Sequence, residues 1–392
     1  MNLKIYKSIT EINEAEWDAI VGKNKIFCTH KFASAIEKSR NNMGGYYYPV
    51  MYDNDKIVAH ACVYFFRTEL DLFAGGILKK IINLIRKRWK DLFIMESLEC
   101  GSPAASGNTI SIRDGADHAL IMRDLSKGIE GLAKELGIKF ILFRDFYEKE
   151  ADFHIIFKGL GYTKINNLPN TKMKIRWKSF DEYLNSMRSN YRRKIIKRMD
   201  KSAKANISFD VLTNFSKHSP VLKRLYDNVY NNAKEYKREQ MTEAFFQNID
   251  NYLSERSIMV IAKKGDRFIG SSLLLLNNKT FISLFIGLDY DYNEEYFIYF
   301  NLFYKAIELA IEKGAEEIEL GITTLDPKRD MGADVVALNM YMRHANPFLN
   351  KVIPVLFDII TAPDTTMPRN VFKEGLQDQS AGSTKDQRET VS

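Results

Sequence analysis

The sequence predicts an α/β (α+β) fold made of two similar halves, on three observations. β-rich hairpins and helix-period segments alternate along the whole chain. The order of those elements repeats: residues 49–61, PVMYDNDKIVAHA, resemble residues 259–272, MVIAKKGDRFIGSS, and residues 132–143, LAKELGIKFILF, resemble residues 309–320, LAIEKGAEEIEL. With 392 residues, 45% hydrophobic and 12% aromatic, the chain is long and apolar enough to fill two real cores. Two domains follow, at about 1–178 and 179–363, with a polar stretch at 364–392 expected to be disordered.

The elements follow in order. Residues 3–6 read as a strand, and helices are expected from about Ser8 or Thr10 and over 29–39. Residues 46–66 carry two β-rich runs around Asp53-Asn54-Asp55, a tight-turn signal, and so form a hairpin. In residues 116–136 the apolar positions Leu120, Ile121, Leu125, Ile129, Leu132 and Leu136 recur at helical spacing, and Gly137 fits the C-terminal cap. A buried strand at 139–143, a helix at 153–160 and two short strands around Pro169 close the first half. In the second half Ser179 and Asp181 start a long helix that runs through the basic stretch. Helices at 221–237 and 244–253, a hairpin around Gly265-Asp266, a strand at 280–288, a helix at 296–313 capped by Gly314 and a strand at 317–320 complete it.

Lys56 pairs with Arg267 in this repeat, and Gly137 with Gly314. The two offsets differ, so the first half holds about 34 additional residues, within roughly 74–107. This insertion contains ILKKIINLIRKRWKDLF, from Ile77 to Phe93. Ile77, Ile81, Leu84, Ile85, Trp89 and Leu92 share one helical face, and Lys79, Lys80, Arg86, Lys87 and Lys90 cover the other. Packing on its own core explains such a helix, and so does docking on a membrane surface or a partner, which its place in an insertion favours. A second basic segment, RSNYRRKIIKRMDKSAK at 188–204, sets eight cations against one acid, with an apolar stripe at Tyr191, Ile195 and Met199. A solvated face explains that pattern, and so does a seat for phosphate groups, with Arg192, Arg193 and Lys197 the expected contacts.

Composition narrows the function classes. The net charge of +7 favours anionic partners without identifying nucleic acid. Three cysteines without a CxxC or Cys/His cluster argue against a disulfide scaffold or a zinc site, so no metal is expected and a reducing, cytoplasmic compartment is. No secretory signal and no run of about 18 apolar residues occurs.

The end of the first half, FHIIFKGLGYTKINNLPNTKMKIRW, resembles the C-terminal signature of GNAT acyltransferase domains. The second half, through SFDEYLNSMRSNYRRKIIKR, IMVIAKKGDRFIGSSLLLL and YFIYFNLFYKAIELAIEKGAEEIELGI, resembles the GNAT-like domain of the Fem-type family (BioF2-like relatives included). The resemblance implies two tandem GNAT-like domains, each a mixed, mainly antiparallel sheet flanked by helices, with the acyl donor entering where the sheet splays. The Gly-rich phosphate loop of standard GNAT enzymes is absent, because SIRDGAD and LDYDYNEE precede the two central helices. Carboxylates at a helix N-terminus make a poor seat for pyrophosphate.

The resemblance implies an N-acyltransferase without a tightly bound cofactor. Its co-substrate would be acyl-CoA, acyl-carrier protein or aminoacyl-tRNA, and its acceptor an amine on a small molecule or a lipid-linked, cell-envelope precursor. Such a protein would work in the cytoplasm or peripherally on the inner membrane face, touching it through residues 77–93. A non-catalytic module binding RNA or anionic lipid is the alternative. Acyl transfer to an amine needs a positioned donor and acceptor, a proton acceptor and an oxyanion partner. No Ser-His-Asp or Cys-His pattern appears, so no covalent enzyme intermediate is expected. The loop after the strand at 317–320 offers Thr323, Thr324, Lys328 and Arg329 as binding residues. His344, Tyr341 and Glu99 are the candidate catalytic acids or bases, each with an ordinary structural explanation as well.

Overall fold

The computed structural model describes residues 1–41, 44–69, 94–233, 240–352 and 369–373. The basic segment at 77–93 lies outside the described residues. The first half contains β1 (Asn2–Tyr6), α1 (Glu14–Asp18), α2 (His30–Ser39), β2 (Tyr46–Asp53), β3 (Lys56–His60), β4 (Val63–Glu69), β5 (Ile94–Cys100), β6 (Ser111–Ile112), α3 (His118–Glu135), β7 (Phe140–Tyr147), α4 (Ala151–Gly159) and β8 (Thr163–Lys174). The second contains α5 (Phe180–Ser186), α6 (Ser189–Lys204), β9 (Ile207–Leu212), α7 (Ser219–Asn232), α8 (Glu243–Leu253), β10 (Ser257–Lys264), β11 (Arg267–Asn277), β12 (Thr280–Leu288), α9 (Tyr290–Tyr296), α10 (Ile298–Glu312), β13 (Glu317–Gly321), α11 (Leu325–Asp330) and β14 (Asp334–His344).

The repeat is visible in local detail. The β2–β3 turn places Asn54 and Asp55 at φ 47° and 60°, the left-handed pair that a two-residue hairpin needs. Central helices α3 and α10 end alike: Gly137 and Gly314 take φ 72° and 64°, and the next residue's N–H returns to Ala133 O and Ala310 O respectively. In each half one parallel strand pair forms a fork. β5 runs parallel to β7 from Ser97–Phe140 to Cys100–Phe143, and β12 parallel to β13 from Thr280–Glu317 to Ile282–Glu319. Beyond those pairs the strands part.

The two halves share one sheet, in the order β6-β3-β2-β4-β5-β7-β14-β8-β13-β12-β11-β10-β9, with β1 on β2. Each half hands its last strand to the other: β14 lies between β7 and β8, and β8 between β14 and β13, all antiparallel. The expected boundary at 178 therefore separates chain segments that remain joined through the sheet. Strand alternation splits the cores. In β10, Ile258, Val260 and Ala262 face α5, α6 and α10, whereas Met259 and Ile261 face α7, α8 and α2 of the first half. Asn277 and Thr242 seal the contact between halves through bonds to Ile26 N–H, Asn24 O, Ser39 O and Asn41.

Four expectations are corrected. Residues 163–174 form one strand, because Pro169 sits where Leu168 and Pro169 together oppose Ala337, a bulge that needs no N–H from proline. The expected helix at 296–313 starts earlier, as α9, and breaks at Phe297, whose φ of 55° turns the chain into α10. The long helix expected from Ser179 is broken at Met187 and Arg188, which are extended. Residues 369–373, inside the span expected to be disordered, cause that break. Met187 bridges Phe372, Arg188 N–H donates to Val371 O, Lys373 N–H donates to Ser186 O, and Val371 is buried.

Candidate functional site

The second half's fork is built around Lys328. β13 ends at Gly321, and Thr324, at φ 54°, turns the chain into the short helix α11. This turn directs Lys328 back into the fork, where its side chain is almost completely buried, the residue being 3% exposed. Nζ donates to Thr323 O at 2.5 Å and lies 5.6 Å from the centre of the Phe303 ring. A methyl group at Gly321 would stand 3.5 Å from Nζ and 3.7 Å from Ser283 O, so glycine leaves the space beside the amine clear. Thr171 Oγ1 holds the Gly321 carbonyl at 2.6 Å, and Tyr299 bonds the Thr324 side chain. Burial alone pulls the Lys328 ammonium down to about 7.

A second lysine beside the fork shows the difference a partner makes. Burial works against the Lys172 ammonium, but Glu319 at 2.7 Å and Tyr147 hold it above the usual lysine value; Glu317 also lies 3.2 Å away. Asn170 ties Glu319 into the same cluster at 2.7 Å. Lys172 is thus a permanent cation at the base of the fork, while Lys328 titrates near neutrality.

Of the sequence-selected residues, Thr323, Thr324, Lys328 and Arg329 are together here. Thr323 and Thr324 are exposed, whereas Arg329 is buried and pairs with Asp326 at 3.3 Å. The basic helix α6 adjoins them, since Lys194 reaches Asp330 at 3.6 Å. One turn along that face Lys197 is exposed, as is Arg193, and Arg192 is half-buried. Arg198 turns inward instead, stacking 3.6 Å from the centre of the Phe300 ring and donating to Tyr304 Oη.

The three candidate acids or bases are not in this fork. His344 ends β14, ten residues from Asp334 and so roughly 30 Å along the strand from the α11 side. Its Nδ1 accepts the Asn346 N–H at 2.9 Å, and its ring packs edge-on against Phe140. Tyr341 is buried with its ring stacked 4.3 Å from Phe157, and burial pushes its hydroxyl up to about 12. Glu99 lies in the other fork, fully buried, where it accepts from Tyr64 Oη at 2.9 Å and from Arg144 at 3.1 Å. Each has a structural task at its position.

Both central helices already use first-turn N–H groups internally. The Asp117 side chain accepts from Leu120 N–H, and Asn293 from Tyr299 N–H. Among the described residues no group of three or more His, Cys, Asp or Glu side chains is arranged to hold a metal ion, and no helix is long and apolar enough to cross a membrane. Sequence reasoning did not find Phe303, Tyr299 or Gly321, whose roles depend on strand parting, nor residues 369–373.

A forked α/β sheet repeated in tandem is a tandem GNAT-like fold, and in this chain a lysine rather than a Gly-rich loop stands at the second fork. Residues 99–352 match the FemAB-like family model, described as peptidoglycan biosynthesis/recognition, and the chain belongs to that family. A putative 8-amino-7-oxononanoate synthase 2 of Mycobacterium tuberculosis is 27% identical over 274 residues, covering 66% of this chain and 34% of that protein. The chain therefore spans about a third of the length of the curated relatives it matches. The crystal structure of FemX superposes with a TM-score of 0.56 at 13% identity, over 90% of this chain and 100% of that one. The C-terminal domain of a putative lysylphosphatidylglycerol synthetase from Agrobacterium fabrum gives 0.51 at 9% identity, over 90% and 98%. These two likenesses establish the shared fold.

Proposed function

We propose that this chain transfers an acyl or aminoacyl group from an activated donor to an amine on a cell-envelope or lipid-related acceptor, using the second fork. The observation that carries the reading is Lys328: a buried amine facing the parted strands, pulled to about 7 by burial, with no carboxylate contributing to that shift. An amine in such a place favours its neutral form and is matched to accept protons at physiological pH. The acceptor nitrogen attacks the donor's carbonyl carbon, a C–N bond forms, and the nitrogen's proton passes to Lys328 Nζ. The resulting ammonium keeps one hydrogen on Thr323 O and offers the others to the oxyanion. Collapse breaks the ester C–O or thioester C–S bond, and Lys328 returns the proton to the leaving oxygen or sulfur.

Family membership supports the envelope setting, and FemX and the lysylphosphatidylglycerol synthetase domain share the fold. The internally capped N-termini of α3 and α10 favour a donor held outside the usual pyrophosphate seat. The exposed cations of α6, Arg193 and Lys197 with Arg192 beside them, fit the phosphates of such a donor, whether aminoacyl-tRNA, acyl-CoA or acyl-carrier protein. The test is to offer each donor class, radiolabelled on the acyl group, with amine-bearing envelope precursors and to follow amide formation. Transfer by the native protein and its loss in Lys328→Met support the reading. Undiminished transfer in that variant refutes the role of Lys328.

A further inference from the structure

The geometry points to residues 369–373 as a positioning strap for Lys328, with Arg369 its clamp. This rests on the reading of Lys328 given above. α11 spans only six residues, and its Asp326 and Asp330 are one turn apart on the face opposite Lys328. Left alone, those carboxylates repel each other, and a helix this short has little stability of its own. The Arg369 guanidinium closes over both. It donates to the Asp326 carboxylate at 2.5 Å, to the Asp326 carbonyl at 3.2 Å and to the Asp330 carboxylate.

The strap cannot drift with α11, because it is anchored to a separate element. Val371 is buried in the second half's core, the Phe372 ring packs tilted against Trp177 with centroids 5.1 Å apart, and the bridge to Met187 fixes the strap between α5 and α6. Phe372 also covers the face of Gly332, at φ 95°, immediately after α11. Tyr183 of α5 donates to Met331 O at 2.8 Å from the same side. The outer face of α11 is therefore braced from the core, while its inner face inserts Lys328.

Bracing matters because nothing but depth sets the acidity of Lys328. Among the described residues the groups facing it are Thr323 O, the Phe303 ring from α10, the Gly321 backbone of β13 and Ser283 O of β12. None is charged, and burial is the one contribution to its shift. Asp326 and Asp330 pair with Arg369 on the side of α11 away from Lys328, Arg329 pairs with Asp326, and Lys194 pairs with Asp330. If the outer clamp opens, α11 moves, water reaches Nζ and the amine returns toward its ordinary value of 10.5.

Arg369→Ala tests this, with Phe372→Ala as a second variant acting on the same strap. Two readouts run in parallel across pH: kcat/KM for transfer, and the rate at which trace acetic anhydride labels Lys328, read by peptide mass spectrometry. The native protein should show midpoints near 7 in both. In the variants both midpoints should rise by about one pH unit or more, with transfer at pH 7 down roughly tenfold and recovered above pH 9. Arg369→Lys should fall between. A labelling midpoint that moves while transfer does not leaves the strap in place and refutes Lys328 as the base. Midpoints unchanged in folded Arg369→Ala and Phe372→Ala, whatever happens to thermal stability, overturn the strap.

Discussion

The two forks of this molecule are the same device filled in opposite ways. In the first, the space where β5 and β7 part is occupied by Arg144, which reaches Glu99 at 3.1 Å, Tyr64 Oη at 2.5 Å and Asp145 at 3.7 Å. Arg144 and both carboxylates are buried; Asn167 donates to Asp145 Oδ1, and Gly107 N–H donates to the Oδ2 that faces Arg144. Asp145, at φ 65°, lies within β7 at the bulge where Arg144 and Asp145 together oppose Met340. In the second, where β12 and β13 part, Lys328 stands without a counter-charge among the described residues. Burying a charge is tolerable when it is paired and bonded, and costly when it is not. The first fork therefore holds a settled ion cluster that stabilises a shape, and the second holds a group that changes protonation. Duplication supplied two forks, and the side chains decide which one is available for chemistry.

The sharpest way to break this comparison is to treat both forks alike. Lys328→Met should lower transfer by roughly 10²–10⁴-fold, the range expected for a positioned proton acceptor. Initial rates on folded protein, checked by circular dichroism, measure it. Glu99→Gln in the first fork should act on stability instead. Leaving Arg144 buried beside a neutral amide should cost about 3–5 kcal/mol in chemical denaturation, while the rate per folded molecule stays within a few-fold. A rate loss in Glu99→Gln as deep as in Lys328→Met would mean that the first fork also reacts, and the contrast would fail.

What the sequence made legible follows the same division between local and distant. The hairpins, the Gly137 and Gly314 caps and the loop carrying Lys328 rest on residues within a few positions of one another, and all are found where expected. The exchange of β8 and β14 rests on pairings between residues far apart in the chain, such as Asn170 with Val336 and Lys174 with Glu317, and no local pattern encodes it. Glu99 looked available because its partner Arg144 is 45 residues away. His344 looked available because the turn that occupies its Nδ1 reads as an ordinary loop. Residues 369–373 were hidden because two apolar side chains, Val371 and Phe372, in a polar stretch carry no periodic signal.

Stability gives a second measure of the contrast, in the opposite direction from rate. Lys328 is held at about 7 in the folded chain against 10.5 for a free lysine. Between those values the unfolded chain binds the extra proton, so unfolding becomes harder as pH rises from 7 toward 10.5. Lys328→Met removes the penalty and should stabilise the protein by roughly 4 kcal/mol near pH 7, with the gain fading by about pH 10.5. Urea denaturation of both proteins at pH 7 and pH 10 checks it. Loss of rate with gain of stability is the signature of a strained functional site. Equal stability of the two proteins at pH 7 would show that Lys328 already has a partner, and the forks would then be alike.

The smallest effect concerns how the open fork is supplied. If α6 holds the phosphates of the donor, Lys197→Ala and Arg193→Ala should each raise KM several-fold and leave kcat unchanged, because they add binding shared by ground and transition states. For a polyanionic donor the dependence of log KM on log salt should also flatten, by about 0.7–0.9 for each phosphate contact removed. Lys201→Ala, on the same helix but a further turn from the Lys194–Asp330 contact, serves as the control. A flattening as large in Lys201→Ala as in Lys197→Ala would mean that α6 acts as a diffuse cationic surface with no defined seat beside the fork.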